Sequence, residues 1–305
     1  MQEDRYLTPQ EVADYLKIAK NTVYELIKRG ELESFRVGRK IRIEATAVET
    51  LRGSMGGSAD AQAAVAVPEA ENAGGFVICG QDCILDILAR ELENRYADER
   101  ILRSSESSYN GLYALYHDRA NAVTCHLWDG DTDEYNVPYV LKMLPGVPAR
   151  IVRLARRRQG LYVKRGNPKR ILAWKDLFRQ DVSFVNREKG SGTRVLLDEK
   201  LRLLGRRGSD IRGYGQTASS HLSVAGWVAR GKADTGLGNE KAALQVPALE
   251  FVPLQDECYD IVICKNFEHT RPYAQLLDIV RSQWFKDEIE SLGGYDVCET
   301  GEIIL

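Results

Sequence analysis

Near the N-terminus the apolar residues Val12, Ala13, Leu16, Ile18, Val23, Leu26 and Ile27 recur at helical spacing, with a break around 18–20. Thr8 stands where an N-cap belongs, Pro9 suits a first turn, and Glu11 is placed to reach back as a capping box. Polar Asn21 and Thr22 then open a second helix after a tight turn. This is helix-turn-helix spacing, with small Ala13 letting the helices cross closely. The pattern switches to period two in F-R-V-G-R-K-I-R-I (35–43), which reads as a β-hairpin about Gly38 and Arg39. Residues 44–51 close the unit as a short helix.

Residues 52–75 hold five glycines, seven alanines and no aromatic residue, so they read as a flexible linker. After it, strand and helix patterns alternate. A buried-type strand at 76–80 leads to a helix through Leu92, and 182–186 leads through K-G-S-G-T-R to a helix from Val195. Residues 211–214 read as a strand leading through T-A-S-S-H to a helix at 222–230, and 233–238 and 251–254 read as further short strands. Such alternation implies a mostly parallel α/β sheet, with ligands beyond the carboxyl ends of its strands.

Length and charge narrow the class. At 305 residues two domains are expected, and 42 basic against 44 acidic residues leave no global charge that points to nucleic acid or membrane. No apolar run approaches the ~20 residues of a membrane span, and M-Q-E-D-R-Y-L-T-P lacks the features of a secretory signal, so a cytoplasmic protein is expected. The six cysteines form no C-x-x-C pair and read as reduced thiols; no metal site and no cofactor is expected.

Local charge says more. Arg36, Arg39, Lys40 and Arg42 place four cations and no acid on the hairpin, a finger for phosphate or a minor groove. The first 51 residues balance nine basic against nine acidic, which favours a dimer over a tight monomeric DNA binder. In the larger part, Gly190-Ser191-Gly192-Thr193-Arg194 forms an anion cradle of glycines, hydroxyls, helix-start amides and a guanidinium fork. It lacks the G-K-[ST] ending of an ATP-hydrolysing loop. His126, at a strand end, and His221, at a helix start, either face a ligand or serve structure. Asp129, Asp131, Asp133 and Glu134 lack EF-hand spacing and read as a solvated acidic loop. The stretch 150–170 holds nine cations and no acid, read as strands beside an anion cleft with a solvated edge, or as a second DNA surface.

Residues 6–51 resemble the winged helix-turn-helix of the excisionase and MerR-like families, with Lys17 at the turn position where many relatives keep glycine. Residues 76–305 resemble a periplasmic-binding-protein-like domain related to molybdate and tungstate binders. The match is carried by D-E-Y-N-V-P (133–138), R-R-Q-G-L-Y-V-K-R-G-N-P (157–168), V-N-R-E-K-G-S-G-T-R (185–194), I-R-G-Y (211–214), S-H-L-S-V-A (220–225), G-K-A-D-T-G-L-G (231–238) and L-G-G-Y-D (292–296). The resemblance implies an α/β chain of three parts: a winged helix-turn-helix at 1–51, a linker at 52–75 and a two-lobed type II domain at 76–305. Lobe one would be 76–158 with 250–305, and lobe two 159–249. Lobe one would bring the loop at 80–82 and Ser107, Ser108 and His126 to the cleft. Here Ser107 and Asn110 replace glycines of the family pattern, and Tyr109 intervenes. Lobe two would bring Ser191, Gly192, Thr193, Arg194 and His221.

These readings lead to a transcription regulator. Lys20, Asn21, Thr22, Tyr24 and Lys28 of the recognition helix, with the hairpin cations, would bind double-stranded DNA as a homodimer. The larger domain would sense an oxyanion such as molybdate or tungstate. A small organic acid or other anionic metabolite is the alternative ligand, and an enzyme acting on such a ligand the alternative class. No Ser/His/Asp order, thiolate–histidine pair or metal spacing stands out, so binding rather than catalysis is expected.

Overall fold

The computed structural model describes residues 6–16, 23, 27, 32, 34–37, 40–46, 48, 75–95, 100–267 and 269–305. The chain divides into two compact units, 1–68 and 69–305. Lys20, Asn21, Thr22, Tyr24, Lys28 and Arg39 lie outside the described residues, as do the side chains of Arg36 and Lys40. So does the expected linker apart from Gly75, which begins a strand.

In the first unit β1 (Tyr6–Leu7) leads into α1 (Pro9–Leu16). The cap forms as its residue types require. The Thr8 N–H and Oγ1 donate to Glu11 Oε2 at 2.7 and 2.8 Å, and the Glu11 N–H donates to Thr8 Oγ1 at 3.3 Å. β2 (Phe35–Val37) and β3 (Lys40–Glu44) pair antiparallel with Val37 opposite Lys40; the expected turn residues 38 and 39 lie outside the described residues. A third strand, β1, joins them by pairing Leu7 with Ile43; two residues are too short to show an alternation in the sequence. Val12, Ala13, Val23, Leu32, Ile43 and Val48 are buried in its core.

The second unit begins with β4 (Gly75–Cys79), α2 (Ile84–Arg95), β5 (Arg100–Ser104), α3 (Ser108–Tyr116) and β6 (Ala122–Cys125). The short ribbon of β7 (Trp128–Asp129) and β8 (Glu134–Tyr135) and the helix α4 (Val137–Met143) come next. After β9 (Ala149–Lys164), a second α/β half follows: β10 (Phe184–Arg187), α5 (Gly192–Leu203), β11 (Thr217–Ala218), α6 (His221–Ala229), β12 (Thr235–Asn239) and α7 (Glu240–Leu244). β13 (Leu249–Cys264), α8 (Arg271–Arg281) and α9 (Gln283–Ser291) return the chain to the first half.

One eight-stranded sheet runs through both halves in the order β11-β10-β12-β9-β13-β6-β4-β5. β4 is parallel to β5 and β6, and β10 to β11 and β12, as the alternating pattern implies. The joint is antiparallel. β9 and β13 are 16 residues each, roughly 50 Å at the usual strand rise, and pair along almost their whole length. β9 also pairs with β12 in one half, and β13 with β6 in the other. Helices cover both faces of each half. Leu88, Ile78, Ile261 and Phe285 pack on one side of the first half, and Leu112, Val123, Val140 and Val262 on the other. Leu161, Phe184 and Leu197, and separately Tyr162, Val185 and Val224, do the same in the second.

Three expectations change. The short strand at 251–254 is part of the 16-residue β13, whose charged residues hide its length. Those charges answer β9: Arg157 lies opposite Glu257, Arg158 opposite Asp256 and Arg153 opposite Asp260. The cation stretch is therefore not chiefly a solvated edge. Arg153 and Arg157 are 5% and 4% exposed, and Arg156, Arg158 and Lys169 pair with Glu299, Glu240 and Asp234. Residues 211–214 form a turn rather than a strand. Gly213 takes φ +96° with its backbone packed against Phe184, whose N–H donates to Arg212 O at 2.8 Å. The six cysteines are free thiols. No helix among the described residues is long and apolar enough to cross a membrane.

Candidate ligand-binding site

A cavity of about 190 Å³ opens where the two halves face each other. Its walls are the carboxyl ends of strands from both sides. Gln81 and Asp82 follow β4, Thr124 lies near the end of β6 and His126 just past it, Arg187 ends β10 and Asn239 ends β12. Helix starts complete it: Ser107, Ser191, Ser220 and Asn239, the N-cap residues of α3, α5, α6 and α7, all line the cavity. Each helix start carries partial positive charge and unsatisfied amides. Three of the caps are occupied, with Ser191 accepting from Arg194 N–H, Ser220 from Ser223 N–H and Asn239 from Ala242 N–H. Ser107 differs. It is 7% exposed, makes no cap bond, and its Oγ has no partner.

A buried ion network forms part of the cavity wall. Arg157 donates through Nε to Glu257 and through Nη1 to Asp82, with its guanidinium 4.1 Å from the centroid of the Tyr259 ring. Tyr295 Oη donates to Asp82 Oδ1 at 2.8 Å. Burial raises the Glu257 pKa, but Arg157 and His126 outweigh it, so the carboxyl is held below its ordinary 4.5 and stays ionised. His126 Nδ1 lies 2.8 Å from Glu257 Oε2, so the ionised carboxylate fixes a proton on Nδ1. His221 has the opposite arrangement. Its Nδ1 accepts from Asn239 N–H at 3.3 Å, which puts the proton on Nε2. Burial, then Arg187, Arg157 and His126, hold this imidazole well below its ordinary 6.5. The two rings face each other with centroids 6.4 Å apart.

Of the expected ligand residues, Ser107, Ser108, His126, Ser191 and His221 line the cavity; Gly192, Thr193 and Arg194 do not. Gly192 serves close packing, since a Cβ there would overlap the backbone oxygen of His126. Thr193 is buried with its Oγ1 unpaired. The fork expected of Arg194 is turned away. It bonds Asp198 one helical turn on, at 3.1 and 2.9 Å, and stacks on Tyr214 at 4.2 Å.

Arg187 takes the place expected of Arg194. It is 2% exposed and bonds Glu188, Gln81 and Ser219 O, all through Nε and Nη2, at the cavity wall. Two signals for this were in the sequence: Arg187 directly follows the predicted strand 182–186, and Asp198 stands four residues after Arg194. Arg187 to Gln81, and Tyr109 N–H to Gly190 O at 3.0 Å, tie the halves together across the cleft. The acidic loop is a bonded turn, Asp129 Oδ1 accepting from Asp131 N–H and Thr132 N–H. No group of three possible metal ligands occurs among the described residues.

Two α/β halves joined by long antiparallel strands, with a cavity at their strand ends, form a periplasmic-binding-protein fold. Residues 89–281 match the PBP superfamily domain and residues 6–52 a helix-turn-helix domain. The chain belongs to the PBP superfamily and carries a helix-turn-helix domain in front. It is 42% identical over 310 positions to the uncharacterized protein YvgK of Bacillus subtilis (strain 168), covering 100% of this chain and 99% of that one. A substrate-binding protein from Clostridium perfringens solved with bound phosphate superposes with a TM-score of 0.55 at 14% identity, over 73% of this chain and 98% of that one. The ancestral amino acid-binding protein AncCDT-1 superposes at 0.53 and 15% identity, over 72% and 95%. These two likenesses show the fold. A relationship to molybdate and tungstate binders does not emerge from the comparisons.

Proposed function

We propose that this chain is a cytoplasmic transcription regulator whose helix-turn-helix domain binds duplex DNA and whose PBP domain senses a small anion in the cleft. The observation that supports the sensor role most strongly is the convergence of N-cap residues on one cavity, with the buried, unpartnered Ser107 Oγ among them. Unsatisfied amides and hydroxyls aimed at a shared space make an anion site. Arg187 adds a buried cation beside it. The volume equals about six waters at about 30 Å³ each, room for a tetrahedral oxyanion or a small organic acid. Molybdate and tungstate belong to the first group.

The switch is closure. Lobe one (76–158 and 250–305) and lobe two (159–249) hinge on β9 and β13, and a ligand touching both favours the closed arrangement. A homodimer converts closure into a changed spacing of two DNA-binding heads on half-sites about one DNA turn apart. The ligand leaves unchanged, so the role is binding rather than catalysis. Thermal shift of the full chain across a panel of small anions tests this. Stabilisation without consumption of the anion supports a sensor; turnover of whatever binds supports an enzyme, and indifference to every anion removes the cleft reading.

A further inference from the structure

Helix α3 (Ser108–Tyr116) differs from α2 and α9 of the same half. α2 turns Asp86, Arg90 and Glu93 to solvent, and α9 turns Asp287, Glu288 and Glu290. α3, S-Y-N-G-L-Y-A-L-Y, contains no charged residue. Its inner face is ordinary, with Gly111, Leu112 and Leu115 buried. Its outer face is a stripe at helical spacing, where Tyr109, Tyr113 and Tyr116 are 45%, 54% and 41% exposed. His117 continues the aromatic surface past the helix end, its ring centroid 4.3 Å from that of Tyr113 and 5.2 Å from that of Tyr116. A helix apolar on both sides is one that is covered on both sides, and tyrosine without charge is the composition of an interface core. The same helix begins at the cleft: its N-cap Ser107 lines the cavity, and Tyr109 N–H donates to Gly190 O of the opposite half at 3.0 Å.

We propose that two copies of this chain pair through the tyrosine face of α3, about a two-fold axis at Tyr113. The proposal rests on the homodimer of the reading above and gives it a surface. In such a pair each residue near the axis meets itself, so a charge there would repel its own copy; α3 holds none. Tyrosine suits the axis, because its hydroxyl both donates and accepts and its ring stacks on another ring. The axis sets the two helices antiparallel. Glu106, before one helix, then faces the end of the other that Arg119 follows, and the opposite partial charges of the helix ends meet. The exposed parts of the three tyrosines amount to roughly 300 Å² per copy, against about 800 Å² per partner in an interface of standard size. So small a face suits a partner already held nearby, as a second copy is when two heads share one DNA. Because α3 starts at Ser107, closure of the cleft acts on the helix that carries the pairing.

Sedimentation velocity of the full chain over a hundredfold range of concentration tests the pairing, with a monomer–dimer equilibrium expected. Tyr113→Glu, which sets a charge against its own copy, is expected to weaken dimerisation tenfold or more with an unchanged far-ultraviolet spectrum. Tyr113→Phe keeps the ring and is expected to stay within threefold of the wild type. Cross-linking reads the geometry separately, in a chain whose exposed Cys83 and Cys298 are changed to serine. There Tyr113→Cys is expected to give a disulfide-linked dimer on mild oxidation, whereas Leu244→Cys, at a position of α7 that is 62% exposed, is not. A wild-type dimer that Tyr113→Glu leaves intact, or that cross-links no better at 113 than at 244, would overturn this surface while leaving the homodimer standing. A wild-type chain monomeric at every concentration would overturn the homodimer and this surface with it.

Discussion

Two stretches of the chain look alike in sequence and differ in what faces them. The hairpin at 35–43 and the crossing strand β9 are both β-structure rich in arginine with no acid of their own. In the hairpin the register sets Arg42, Arg36 and Lys40 opposite the uncharged residues Phe35, Ile41 and Val37. In β9 the residues opposite Arg157, Arg158 and Arg153 are Glu257, Asp256 and Asp260. In our proposal the first set serves as the DNA finger. The second is paired across the two long strands that join the halves. A count of cations cannot tell the two apart; cross-strand register can.

The largest effect should come from breaking the internal set. Arg157→Met leaves Glu257 and Asp82 buried without their cation, which should cost about 3–5 kcal/mol of stability, read by urea denaturation of the full chain. A loss under 1 kcal/mol would mean that the network is not what joins the halves. Next comes the external set. Arg39→Ala with Lys40→Ala should leave folding intact but lower the slope of log affinity against log salt by about 2, close to one for each phosphate the finger no longer neutralises. Unchanged DNA affinity and salt slope would rule out the finger.

A smaller effect separates His221 from both sets. Because its folded pKa lies well below 6.5, the unfolded chain takes up a proton that the folded chain refuses as pH falls through about 6.5. Stability should therefore decline from pH 7 toward pH 5, and His221→Gln should flatten that part of the profile. Equal slopes in the two proteins would place the pH response elsewhere. The smallest effect belongs to the rim. Arg158, whose side chain is 52% exposed, pairs with Glu240, and Arg158→Ala should cost less than about 1 kcal/mol. A larger loss would extend the structural role of β9 into solvent.

How far the sequence could be read follows the same division. Features set by neighbours in the chain were legible: the Thr8–Glu11 capping box, the antiparallel pairing of β2 with β3, and the β4–α2 and β10–α5 units, although α5 begins at Gly192 instead of Val195. Features set by distant partners were not. β13 is masked by Pro253 and by charges that make sense only beside β9. Arg187, with Arg157 and Lys241, lines the cleft, while Asp198 and Tyr214 hold Arg194 elsewhere. The cavity histidines were visible as candidates, but their proton positions depend on Glu257 and on the Asn239 amide, residues 131 and 18 positions away.

The central claim is that the cleft and the DNA-binding head are coupled, and operator affinity measured by fluorescence anisotropy tests it most directly. The full chain would be titrated with and without a saturating concentration of the anion that gives the largest thermal shift. A coupling of about 1–3 kcal/mol changes the affinity fivefold or more, and Arg187→Ala should remove that change while keeping anion-free DNA binding. The same operator affinity with the anion bound and unbound would contradict the account.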